Sequence, residues 1–138
     1  MKKCILIVSL ALMAGFSFGQ TLQKGNLLGL HVLKINLKPN VTMDQVKSFY
    51  ITKMIPGFEK EFQGMKGYLV QGIRGENKNS FGILWVFESA TARERYYQMD
   101  ELTTTEEGKQ ALEKVEPLNK ELEKLAIVTA KFTDWVIQ

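Results

Sequence analysis

The chain has 138 residues, 45% of them hydrophobic and 24% charged, with 18 basic against 15 acidic side chains, one cysteine and one histidine. That cysteine count excludes a disulfide framework and, with a single histidine, the usual Cys/His metal sites. Lysine and arginine are scattered rather than banded, which excludes a nucleic-acid footprint, and no apolar stretch reaches the roughly 20 residues of a membrane span.

Lys2 and Lys3 precede an apolar run over residues 4–14, and Ser17-Phe18-Gly19 is a small-x-small cleavage site. This pattern predicts a secretory signal peptide over residues 1–19 and an exported, soluble protein, periplasmic or extracellular. Cys4 lies before the apolar run, not at the cleavage point where a lipoprotein needs it. Cleavage would remove that cysteine with Lys2 and Lys3, leaving sixteen basic against fifteen acidic residues, a net charge of +1. Residues 20–26 read as a flexible lead-in. Residues 27–138 have the length of one domain with one core.

The first strand is predicted over residues 27–37. One parity holds Leu28, Leu30 and Val32, the other Leu27, Gly29, His31, Leu33, Ile35 and Leu37, so neither face alternates as a half-wet strand would. Thr42 with Gln45 forms a capping-box signature, and Met43, Val46, Phe49, Tyr50 and Met54 follow at helical spacing. Pro56-Gly57 predicts the helix end near Ile55, with Phe58 and Phe62 adding one more apolar turn. Residues 66–74 and 80–88 read as two strands of a hairpin around the turn cluster at 75–79. In the second of these, Phe81, Ile83, Trp85 and Phe87 share one face, and Leu84 and Val86 the other. Ser89 caps a short helix through residue 98, with Ala92, Tyr96 and Met99 inward and Arg93 and Arg95 outward. A longer helix is predicted from Thr103 or Thr104, kinked or restarted at Pro117. The final strand is predicted over residues 127–137.

A right-handed crossover between the first two strands leaves a slot for the hairpin partner. The predicted fold is therefore α+β and ferredoxin-like, a four-stranded antiparallel sheet with helices on one face. The other apolar face then needs a partner, and a homodimer through the sheet face is the simplest closure.

The segments Ile55-Pro56-Gly57-Phe58, Gly64-Met65-Lys66-Gly67-Tyr68 and Ile83-Leu84-Trp85-Val86-Phe87-Glu88-Ser89-Ala90 resemble the dimeric α+β barrel superfamily, especially its antibiotic-biosynthesis-monooxygenase-like branch and, more distantly, NIPSNAP-like proteins. The resemblance implies a dimeric barrel and admits cofactor-independent oxygenases, isomerases and haem-degrading enzymes. Haem-degrading members use a first-strand Asn, a Trp ending the third strand and a His on a later helix. Here Asn36 is the only first-strand Asn, Phe87 stands at the Trp position, and the helical His is absent, so haem is not the expected cofactor.

His31 fits either a hydrogen-bonded interface residue or a catalytic base in a pocket, its reference pKa being about 6.5. Trp85 and Phe87 on the strand, Tyr50 and Met54 on the first helix and Tyr96 on the second are the candidate ligand-binding residues. No metal site is evident. Three functions are consistent with this pattern: an exported protein binding a small apolar ligand, a cofactor-independent monooxygenase or isomerase with His31 moving a proton, and an interaction module filled by its own side chains.

Overall fold

The computed structural model describes residues 21–98 and 103–138. The expected signal peptide, residue 20 of the lead-in and Met99 lie outside them. Strand β1 (Leu27–Leu37) is the one around which the sheet is built. It pairs antiparallel with β3 (Phe81–Phe87) on one side and β4 (Ala126–Val136) on the other, and β2 (Met65–Gln71) joins the free side of β3. The order β2-β3-β1-β4, with helices between β1 and β2 and between β3 and β4, is the ferredoxin-like topology that the sequence predicts. β2 stops at Gln71, short of the expected residue 74, because the Gly72 and Asn79 N–H groups bond across the loop to the carbonyls of Ser80 and Gly72.

Helix α1 (Met43–Phe49) opens with the expected capping box: the Gln45 N–H donates to Thr42 Oγ1 at 3.3 Å, and the Thr42 N–H donates to Gln45 Oε1 at 2.8 Å. The helix does not end near Ile55. It passes through a π-helical turn (Tyr50–Met54) directly into α2 (Ile55–Glu61), with Pro56 in the new first turn. A proline lacks an N–H and clashes with the carbonyl four residues back in a regular helix. The wider turn, closed by the Ile55 N–H donating to the Tyr50 carbonyl, brings Pro56 to a position where neither defect matters.

Ser89 caps α3 (Ala90–Glu94) by accepting from the Ala92 N–H at 3.0 Å. Helix α4 (Glu106–Leu125) is capped by Thr105, not by Thr103 or Thr104, through a 3.0 Å bond from the Gly108 N–H. The reason is tertiary. Thr104 is bridged to Tyr97, the Thr103 carbonyl accepts from the Gln98 N–H and the Thr105 N–H donates to the Tyr96 carbonyl, so pairing runs through Thr105 and helical backbone can begin only after it. Pro117 neither ends nor restarts α4. It is exposed, as is Glu113, whose carbonyl loses its helical donor and is open to water.

The helices cover one face of the sheet. Val46, Phe49, Ile55 and Phe62 meet Ile83, Ala111 and Leu122 in a common core. The other face carries Leu30, Val32 and Leu84, half-buried, with Tyr68, Ile127 and Trp135 exposed at 46%, 56% and 62%.

Candidate functional site

Beside that core, between the sheet and the helices, lies a cavity of about 390 Å³, within the usual range for small-molecule sites. Its floor follows from strand register: Gly29 lies opposite Trp85 and Asp134, and His31 opposite Ile83 and Phe132, so one parity of β1, β3 and β4 faces the helices. The roof comes from Tyr50 and Met54 of the π turn, Phe58 of α2 and Leu122 of α4. Arg93 and Tyr97, on and after α3, line the same cavity.

Trp85 is fixed by what lies under it. A Cβ on Gly67 would come within 2.4 Å of the indole ring, so the absence of a side chain there lets the ring lie flat across β2. Phe58 stacks on the indole at 5.4 Å between centroids. The Gly67 N–H donates to Glu59 Oε1 at 2.9 Å, tying β2 to α2 at this point.

β1 and β4 supply His31 and Asp134 to the lining. The His31 ring stacks on Phe132, its cross-strand partner, at 5.3 Å. Burial lowers the His31 pKa below its usual value and the Asp134 carboxylate opposes that shift without cancelling it, so the imidazole is neutral at neutral pH. Burial pushes the Tyr50 phenol up to about 12, which keeps it a proton donor. The Tyr97 phenol is also raised by burial, against the pull of Arg93.

Arg93 is turned inward, contrary to the sequence expectation. Its Nη2 lies 3.2 Å from Asp134 Oδ2, its Nη1 donates to the Gln98 carbonyl at 3.1 Å, and its guanidinium sits 5.2 Å from the Tyr97 ring centroid. Helical spacing cannot assign a face on α3, which has only five residues. Asp134 carried the usable signal: it shares parity with Phe132 and Ala130, and a carboxylate on an inward strand face needs a cation.

The arrangement is a mostly apolar chamber with a neutral base, a carboxylate and a guanidinium on one side. It can desolvate an apolar body and orient one polar end. Among the described residues no cluster of three or more His, Cys, Asp or Glu is placed to hold a metal ion, and no helix is long and apolar enough to cross a membrane.

No protein-family model and no curated protein matches the chain. Similar solved structures include SnoaB, a cofactor-independent oxygenase from Streptomyces nogalater, at 12% identity over 83% of this chain and 94% of that one, with a TM-score of 0.48. An uncharacterized NIPSNAP-like domain protein from Burkholderia xenovorans is 15% identical over 84% and 88%, with a TM-score of 0.45. A dimeric protein of unknown function and ferredoxin-like fold from Bacteroides fragilis is 8% identical over 83% and 98%, with a TM-score of 0.38. The ferredoxin-like topology stands on the strand order of this chain.

Of the sequence-predicted site residues, the fold brings His31, Tyr50, Met54, Trp85 and Phe87 around one cavity. Tyr96 is not among them. Its ring lies in the core against Phe62, 4.8 Å between centroids, and its hydroxyl accepts from the Gln63 N–H at 2.8 Å. Tyr97 lines the cavity instead. Asn36 pairs with Ile127 on the other face of the sheet.

Proposed function

We propose that the chain is an exported protein that binds one small, mostly apolar molecule in the chamber between sheet and helices, and that it does so as a homodimer joined through the outer sheet face. The observation that carries the binding reading is the chamber itself: apolar walls from every layer of the fold, with His31, Asp134 and Arg93 grouped around Gly29 and the end of β4. The cavity beside Trp85 weighs against an interaction module filled by its own side chains. The dimer rests on the outer face, where Tyr68, Ile127 and Trp135 are exposed around half-buried leucines and valine.

Native mass spectrometry of the protein recovered from its own host tests this reading. The expected spectrum is a dimer with one defined added mass per chain, lost when Trp85 is replaced by Ala. A dimer that never carries added mass, and takes up none from a panel of uncharged aromatic compounds, would exclude the binding reading.

A cofactor-independent oxygenase or isomerase is the second reading, and one observation favours it. His31 is neutral by virtue of its burial and faces the chamber, which is the state a proton-abstracting base requires. Replacing His31 by Ala would then abolish turnover while leaving ligand uptake in place.

A further inference from the structure

One position on the chamber floor has no side chain, and it is the position on which two polar atoms converge. A Cβ built on Gly29 would lie 3.0 Å from Asp134 Oδ1, 3.8 Å from His31 Nε2 and 3.9 Å from the Trp85 Cβ. Gly29, His31, Trp85 and Asp134 all line the cavity. We infer that the space over Gly29 is a subsite for one hydroxyl group of an uncharged, otherwise apolar ligand, held between Asp134 Oδ1 and His31 Nε2. This inference rests on the binding reading and names the chemical class of its ligand.

Three considerations select a neutral hydroxyl. Asp134 Oδ2 is engaged by Arg93, whereas Oδ1 is the acceptor nearest the open position over Gly29, and a ligand donor placed there gains a charge-assisted hydrogen bond. A hydroxyl donates to Oδ1 and also offers a lone pair to His31, which carries a proton on Nε2 in one of its neutral tautomers. An ether lacks the donor. A carboxylate lacks it too, and would set a second negative charge beside Asp134. The Arg93 guanidinium is already shared among Asp134, the Gln98 carbonyl and the Tyr97 ring, so the ion pair leaves no uncompensated charge for an anion to neutralise. The apolar body then lies against Trp85, Phe58, Met54 and Leu122.

The test is isothermal titration calorimetry of the full chain at neutral pH with 2-naphthol, 2-methoxynaphthalene and 2-naphthoate, which share a body and differ at one polar end. The naphthol is expected to bind about tenfold or more tightly than the ether and the acid, since a site built around a hydroxyl discriminates against analogues that cannot make its bonds. In Gly29→Ala, whose methyl group would occupy the subsite and press on Asp134 Oδ1, naphthol and ether should come within about twofold of each other. Asp134→Leu, which removes the acceptor that an asparagine amide oxygen would retain, should do the same, and circular dichroism checks that each variant folds; if Asp134→Leu does not, Gly29→Ala decides alone. Naphthol and ether bound equally by the unaltered protein would overturn the inference and keep the chamber. Naphthoate bound most tightly would overturn it in favour of Arg93 as the anchor, and no binding by any of the three would remove the binding reading as well.

Discussion

Two influences act on the His31 imidazole in opposite directions: burial disfavours its cation, and the Asp134 carboxylate favours it, with burial the larger. Because the folded-state pKa is lowered, the unfolded chain binds a proton more readily, and folding stability falls as pH drops from about 6.5 through the folded value. The stability is fully present above that window. In His31→Phe, which keeps a ring against Phe132 and cannot be protonated, thermal unfolding followed from pH 7 down to about 5 should show a shallower loss than the unaltered protein. Parallel losses in the two would mean that His31 is not the group that senses pH. Parity made His31, Trp85 and Phe87 legible in the sequence, because alternation fixes a face whatever the register. Arg93 and Tyr96 were not, since α3 ends before a second turn is complete and the following residues are placed by long-range contacts.

Among the elements, capping decides where helices begin, and α4 shows how tertiary pairing chooses between equivalent caps. Thr103, Thr104 and Thr105 are all chemically able to cap a helix, and Thr103 and Thr104 have a glutamate three residues on. The structure uses Thr105, whose hydroxyl accepts the Gly108 N–H. Thr105→Ala is therefore expected to cost about 1 kcal/mol in urea denaturation, while Thr104→Ala, where the residue is held by a backbone bridge, should stay within about 0.5 kcal/mol. Equal losses would contradict the assigned cap. The strands were readable to within three residues because turn clusters bound them and β-branched and aromatic residues fill them. The continuity of α1 into α2 was not, because a proline after an apolar helix signals a stop unless a π turn re-phases the chain ahead of it. That re-phasing also places Tyr50 and Met54 together on the chamber roof.

Taken as a whole, the molecule covers one face of its sheet with helices, and the proposed homodimer would cover the other. Leu84 lies at the centre of the uncovered face, between Leu30 on β1 and Tyr68 on β2. Leu84→Lys would place a desolvated charge in a face-to-face dimer, where an unpaired buried charge costs several kcal/mol. Light scattering should find the unaltered protein dimeric at micromolar concentration and Leu84→Lys monomeric with its circular dichroism unchanged; a monomeric unaltered protein would remove the dimer. The sheet also has a consequence in time. β4 pairs along all of β1, from Leu27 with Val136 to Leu37 with Ala126, whereas β3 reaches only from Leu27 to Leu33. Residue 126 follows residue 37 by about 90 positions, so at about 5–20 residues per second a nascent chain carries an open, apolar edge on β1 for roughly 5–20 s. Through that interval the edge is a template for pairing with another unfinished copy. The last strand made both completes the chamber floor and ends the hazard.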